Sequence, residues 1–202
     1  MKIHLPKPLP MYPFKLFDLS ISASAIRYTD DSEAGHEAAR KFQRRVMQRI
    51  TPFLWFDTQA EEAANFYVSI FKNSRITSIS RYPEGTPGPV GQVMVVNFEL
   101  DGKKFIALNG GPTFKFTEAI SLLVNCETQQ EIDHYWSKLT SGGGKEVECG
   151  WLKDKYGLSW QIVPANLEKL LGTPEKAKRV MAVVMKSKKL NIAEMERAAE
   201  SK

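Results

Sequence analysis

The sequence predicts an α+β protein made of paired βαβββ modules that form an open, cup-shaped barrel, followed by C-terminal helices. Three observations carry this. A helix-start pattern, Thr-Gln-x-Glu, occurs twice, in "TQAEEAANFY" from Thr58 and "TQQEIDHYW" from Thr128. Each copy follows one strand-like run and precedes three more. The runs alternate, so that every other side chain shares a face. With 202 residues, 43% of them hydrophobic, the chain can bury a substantial core.

The first stretch, "MKIHLPKPLPMYPF", is rich in Pro and aromatics and has no period, whereas "SEAGHEAARKFQRRVMQRI" reads as helical. Asp18, Asp30, Asp31 and Glu33 argue against a transit peptide, and the lack of a long apolar run argues against a signal peptide. Residues 1–46 are therefore expected to be an N-terminal extension, poorly ordered or an artefact of start-codon choice, with Met47 as the usual start. The folded domain is expected to span 47–172, with modules at about 50–111 and 119–164, and a helical extension to occupy 173–202.

In the first module "ITPFLWF" is the leading strand, and the helix from Thr58 presents Ala63, Phe66, Tyr67 and Ile70 on one face. The strands "RITSISRY", "QVMVVNFEL" and "KKFIALN" follow, the last two joined at the hairpin turn Asp101-Gly102. In the second module "AISLLVNC" leads, and the helix from Thr128 presents Ile132, Tyr135, Trp136 and Leu139. Then come "KEVEC", "GWLKDKY" and "LSWQIVP". Each Thr hydroxyl is placed to cap its helix while the Glu three residues on reaches back to the cap amide. In the tail, Thr173 caps a helix with Pro174 at its first position, and Ala177, Val180, Met181, Val184 and Met185 form one stripe. Asn191 with Glu194 opens a second short helix.

A sheet with one apolar face buries it under its helices. With Leu54, Phe56, Leu122, Val124, Leu158, Trp160 and Ile162 toward the helices, the alternate set faces the cup: Thr51, Phe53, Trp55, Ser121, Leu123, Asn125, Ser159 and Gln161. The same rule sends Phe105, Ala107 and Asn109 inward. Candidate ligand-binding residues are Phe53, Trp55, Asn109, Ser121, Asn125, Trp151 and Gln161, an aromatic wall with a few amides and hydroxyls. Any one of these polar residues alone reads as a register-fixing network member; four converging on one cup favour a site. Lys153, near Trp151, reads as solvated, and the loop "YPEGTPGPVG" as a surface connection able to act as a lid.

Other classes are excluded or disfavoured. The net charge of +5 comes from the two ends: residues 47–172 hold 12 Lys/Arg against 14 Asp/Glu, so a basic nucleic-acid groove in the body is not expected. The Lys186, Lys188, Lys189 cluster lacks interleaved aromatic residues. Cys126 and Cys149 are too few for a disulfide framework or structural zinc, no run approaches a membrane span, and a reducing cytoplasm fits best. No acid, base or nucleophile stands in the cup, so no reaction is assigned.

The segments "ITPFLWFDTQAEEAANFYVSIF", "FELDGKKFIALNGGPTFKFTEAIS" and "CGWLKDKYGLSWQIVP" closely resemble the vicinal-oxygen-chelate (glyoxalase/bleomycin-resistance/dioxygenase) superfamily. Within it they resemble the PhnB-like proteins labelled 3-demethylubiquinone-9 3-methyltransferase. The resemblance covers about residues 47–172 and extends into "KRVMAVVMKSKKL". It implies paired βαβββ modules, a homodimer and a ligand cavity in the open barrel. It also implies that the four positions where metal-using relatives carry His, Gln or Glu hold Thr51, Ala107, Ser121 and Gln161, or Pro52 or Asn109 if the first module slips. Such donors suit a divalent metal poorly. His134 reads as a helix surface or packing residue, and His4 and His36 fall in the N-terminal extension.

No glycine-rich turn precedes a helix as nucleotide cradles do, so the methyltransferase label has no S-adenosylmethionine motif behind it. The expectation is a small-molecule-binding protein for an apolar or aromatic ligand, without catalytic metal or cofactor, dimeric and cytoplasmic, with neither nucleic acid nor membrane as partner. The alternatives are a metal-dependent enzyme of the glyoxalase or dioxygenase type and the methyl transfer that the family label names.

Overall fold

The computed structural model describes residues 48–201. The expected N-terminal extension, 1–46, and the start at Met47 lie outside them. The first module comprises β1 (Phe53–Phe56), α1 (Ala60–Ile70), β2 (Arg75–Arg81), β3 (Val93–Leu100) and β4 (Lys103–Asn109). The second comprises β5 (Ser121–Cys126), α2 (Gln129–Thr140), β6 (Lys145–Glu146), β7 (Trp151–Lys153) and β8 (Ser159–Pro164). A short α3 (Leu167–Leu170), α4 (Pro174–Val184) and α5 (Ile192–Glu200) complete the chain.

The helix starts differ between the copies. In α2 the Thr128 hydroxyl accepts the Glu131 amide at 3.2 Å, and the Glu131 carboxylate accepts the Glu127 amide at 2.8 Å. In α1 the expected Thr58 box does not form. Gln59 stands at the cap without a capping side chain, and the amide of Ala60 donates instead to Asn109 Oδ1, from the end of β4, at 2.7 Å. Thr173 and Asn191 cap α4 and α5 as expected. The β3–β4 hairpin turns at Asp101 and Gly102, both with positive φ as a type I′ turn requires. "KEVEC" yields only two strand residues, because Cys149 and Gly150 adopt left-handed conformations (φ 64° and 83°) that turn the chain back into β7.

The sheets are twins: β1-β4-β3-β2 and β5-β8-β7-β6, each with one parallel pair, β1/β4 and β5/β8. They are not closed into one barrel. Their helix-facing sides share a single core in which Leu54, Phe56, Tyr67 and Phe98 of the first module join Trp136, Leu139, Trp160 and Ile162 of the second. Phe71, just beyond α1, stacks on Tyr135 and Trp160 with ring centroids 4.9 and 5.4 Å apart. The opposite sides are open in part: Phe53 is 53% and Leu123 51% exposed, whereas on the second sheet Ser159 and Val163 are buried, Val163 in the cluster of the C-terminal helices.

Register corrects one expectation. Leu54 stands beside Ala107 and Phe56 beside Asn109, while Phe98 opposes Phe105, so Phe105, Ala107 and Asn109 lie on the helix-facing side. In "KKFIALN" both alternate sets, Phe105/Ala107 and Ile106/Leu108, are apolar, so alternation alone could not choose a side.

The tail forms a second cluster with Val163, built from Val180, Val184, Leu190, Met195 and Ala199. The α4 stripe is rotated from the expected one: Val180 and Val184 are buried, whereas Met181 and Met185 are exposed. Arg179 explains part of this side's fixed geometry, because its guanidinium donates to the carbonyls of Ala198 and Ala199 at the end of α5.

Asp154 ties the modules together. Its Oδ1 accepts the amides of Tyr156 and Leu158, and its Oδ2 accepts the Tyr67 hydroxyl and the Trp160 indole N–H, both at 2.8 Å. Burial is the largest influence on its carboxyl and holds the pKa above the ordinary value despite the four donors. The neighbouring Tyr67 phenol is pushed well up, by burial first and then by Asp154.

Asp154→Ala, which strands four donors, is expected to lower stability by about 3 kcal/mol or more in urea unfolding. Asp154→Asn, which strands the indole N–H, is expected to cost about 1–3 kcal/mol. Because the native pKa is raised, the stability that this carboxyl contributes is complete below its unfolded pKa of about 3.9 and is lost as pH rises through the native value. The advantage of wild type over Asp154→Asn should therefore shrink on going from pH ~4 to neutrality, as unfolding curves across that range will report.

Candidate ligand-binding site

The inner faces hold two groups of candidate residues, one on each sheet. On β1, Phe53 is exposed and Trp55 half-buried. The Trp55 indole N–H donates to the Gly111 carbonyl at 2.8 Å, and its ring meets Phe114 edge-on at 5.0 Å. A Cβ at Gly110 would come within 2.3 Å of the indole, so the connection leading to β5 lies directly on Trp55 because residue 110 lacks a side chain.

On the second sheet Ser121, Leu123 and Asn125 of β5 align with Ser159, Gln161 and Val163 of β8, and Trp151 of β7 aligns with Gln161. Gln161 Nε2 donates to Ser121 Oγ at 2.8 Å. Beside this pair, the Ser159 hydroxyl is buried and has no hydrogen-bond partner among the described residues, an unusual state for a polar atom so enclosed. Lys153, aligned with Ser159, is not freely solvated: its ammonium pairs with Glu118 at 2.5 Å. Asn125 is exposed at the far end of β5, next to Val163 and hence beside the C-terminal cluster.

The structure thus brings Ser121, Trp151 and Gln161 together and keeps Phe53 and Trp55 on a separate sheet. It moves Asn109 out of the group. Asn109 Oδ1 accepts the Ala60 amide, its Nδ2 donates to the Val93 carbonyl at 3.0 Å, and its own carbonyl accepts the Tyr82 hydroxyl. Its side-chain amide and its carbonyl thus serve the α1 start and the strand ends.

The four positions implied for a metal do not converge either. Thr51 precedes β1, Ser121 and Gln161 bond each other, and Ala107 is fully buried on the core side with Leu54. Among the described residues no three His, Cys, Asp or Glu side chains gather in a metal-holding group. His134 sits on the surface of α2, its Nε2 3.2 Å from the Ile70 carbonyl oxygen. Of the thiols, Cys126 is pushed up to about 12 by burial and so is a poor nucleophile, and Cys149 lies 3.6 Å from the Met185 sulfur.

Among the described residues the glycine-rich runs give no nucleotide cradle. Those at 85–91 lead into β3, those at 110–111 into the connection before β5, and those at 142–144 into β6, none into a helix start. The residues present therefore do not fit an S-adenosylmethionine site of the strand–glycine turn–helix kind.

Sequence reasoning placed Ser159 inward but did not single it out, since a lone Ser carries no pattern. It also passed over the connection between modules, where Phe114 and Phe116 alternate in "TFKF" beside Trp55 and Phe56.

Two βαβββ modules with matching sheet orders and open inner faces define a vicinal-oxygen-chelate protein. Within that class, residues 48–163 match the family model described as 3-demethylubiquinone-9 3-methyltransferase, and the chain belongs to that family. It is similar to a solved PhnB protein from Bacillus cereus that carries the same methyltransferase description, with 45% identity over 58% of this chain and 100% of that one and a TM-score of 0.54. It is also similar to a solved Staphylococcus aureus protein, at 27% identity over 59% of this chain and 97% of that one, TM-score 0.27. A third is the fosfomycin resistance protein FosX from Listeria monocytogenes, solved with Mn(II) and sulfate, at 15% identity over 62% and 95%, TM-score 0.43. No curated protein matches the sequence.

Replacing Asn109 with Ala is expected to cost about 1–2 kcal/mol in thermal or urea unfolding, by uncapping α1 and freeing the Val93 carbonyl.

Proposed function

We propose that this PhnB-like protein binds a small apolar or aromatic molecule on its inner face, without a catalytic metal. The observation that supports this most directly is the trio of Ser121, Ser159 and Gln161, where a buried unpartnered hydroxyl adjoins a hydrogen-bonded amide and hydroxyl. A ligand carbonyl or hydroxyl would engage the half-buried Gln161 and Ser121, with Leu123 and Trp151 offering apolar area, and would reach the enclosed Ser159 hydroxyl once the side chains over it shift. The donor set is neutral, which suits holding and orienting a molecule better than ionising one.

In this reading the working unit is a homodimer, because Phe53 and Leu123 are large apolar residues left half-exposed on sheet faces that a second copy would cover. A cytoplasmic setting accords with two free thiols. Among the described residues no helix is long and apolar enough to cross a membrane. Neither nucleic acid nor a membrane surface has a role in this reading.

Methyl transfer is the second reading, favoured by the description shared with the 45%-identical Bacillus cereus protein. Calorimetric titration with S-adenosylmethionine separates the two: heat with one-site stoichiometry would support methyl transfer, and none is expected.

With the neutral fluorophore N-phenyl-1-naphthylamine as probe, Gln161→Ala and Ser159→Ala are each expected to weaken binding of any ligand that engages the trio by about fivefold, one hydrogen bond's worth. Because that probe carries a single N–H, the same titration should be repeated with 1-naphthol, whose hydroxyl both donates and accepts. Unchanged affinity for both probes in both variants would contradict the site. Metal analysis of the purified protein should find far less than one divalent ion per chain, with probe binding indifferent to EDTA. A stoichiometric metal whose removal abolishes binding would overturn the metal-free reading. Sedimentation velocity should give a dimer.

A further inference from the structure

A cavity lies away from Gln161 and its partners. It has a volume of about 310 Å³ and opens between the end of β1, the connection before β5 and the β7–β8 turn. Trp55, Phe114, Phe116 and Tyr156 supply aromatic walls, and Lys115 and Lys155 supply cations. Asp57 and Gln59 complete the polar lining at the β1 end.

The walls are held in place by one another. Trp55 is pinned by its bond to the Gly111 carbonyl and by edge-on contact with Phe114. Phe116 and Tyr156 each meet Phe56 edge-on, at 5.2 and 5.8 Å. Rings fixed in this way lose little freedom when a flat molecule enters.

The two lysines differ. Lys155 bonds Glu62 at 2.7 Å, as does the Tyr156 hydroxyl, and its ammonium stands 5.1 and 5.0 Å from the Phe66 and Tyr156 ring centres. Its charge is compensated and its position fixed. Lys115 has no acidic partner within 4 Å among the described residues, so it is the uncompensated cation on the rim. Asp57, also on the lining, disfavours an anion beside it, which leaves Lys115 as the group that the acid of a ligand would meet.

We propose that this cavity is a binding site for a small planar aromatic carboxylate, separate from the inner-face site. Its volume falls at the lower end of the range for small-molecule pockets, about 300–1,000 Å³, which fits one ring and its acid group. The site goes beyond the inner-face reading and shares only Trp55 with it.

The test is calorimetric titration of the full chain with benzoate, and with benzamide as the neutral match. Benzoate is expected to bind one per chain, two- to fivefold tighter than benzamide, the range of a single exposed ion pair. Lys115→Gln should erase that preference. Phe114→Ala should weaken both probes about tenfold, and Gln161→Ala should change neither. Lys115 is exposed and unpaired among the described residues, so Lys115→Gln is expected to keep the wild-type unfolding midpoint, whereas Phe114→Ala, which loses the edge-on contact with Trp55, is expected to lower it slightly; both midpoints are measured alongside. Benzoate binding that is absent at millimolar concentration, equal affinity for benzamide, or a loss in Gln161→Ala with no effect in Lys115→Gln would each overturn the proposal. The last result would move the aromatic acid to the inner face, whereas failure of N-phenyl-1-naphthylamine to respond to Gln161 leaves this cavity untouched.

Discussion

The carboxylate of Asp154 is the joint on which the rest of the architecture turns. One oxygen organises the β7–β8 turn through two backbone amides, and the other reaches into the core to a tyrosine of the first module and a tryptophan of the second. The same short segment then continues as Lys155 and Tyr156, both bonded to Glu62 on α1. An aspartate taken out of water needs this many donors. In satisfying it, the chain fixes how the second sheet lies against α1, and therefore how β8 presents Ser159 and Gln161.

The two modules accordingly use their sheets asymmetrically. Their helix-facing sides merge into one apolar core, while the inner sides keep exposed apolar residues and a small set of neutral polar groups. In the first module the polar candidate, Asn109, is absorbed into structure as the cap that Thr58 does not provide. In the second, Thr128 caps its own helix, and the polar residues of β5 and β8 are left to face outward from the core. The site is thus biased toward the second module, where amide and hydroxyl groups are not needed to hold a helix end.

Much of this was legible in the sequence. The repeated Thr-Gln-x-Glu pattern, the Asp-Gly turn and strand alternation fixed both modules, and strongly amphipathic runs such as "LSWQIVP" placed Gln161 and Trp160 on opposite sides. Alternation failed in β4, where both sets of side chains are apolar and only pairing with β1 reveals the side. It could not show that Asn109 would replace Thr58 as a cap, because that contact joins residues 49 positions apart. The Asp154 joint was equally invisible: one Asp in a turn has no sequence pattern that announces two side-chain partners in the core. The cavity by the β5 connection needed three separate segments brought together, which no local pattern encodes.

The central claim is that the neutral polar trio on the inner face anchors a ligand. A crystal structure of the protein with the small molecule that accompanies it through purification, identified by mass spectrometry, addresses this most directly. The account predicts a ligand polar atom within hydrogen-bond distance, about 3 Å, of Ser159 Oγ or the Gln161 amide, with apolar atoms against Leu123 or Trp151. A ligand bound elsewhere while that trio remains bonded only to protein, or an inner face filled by protein side chains, would contradict it.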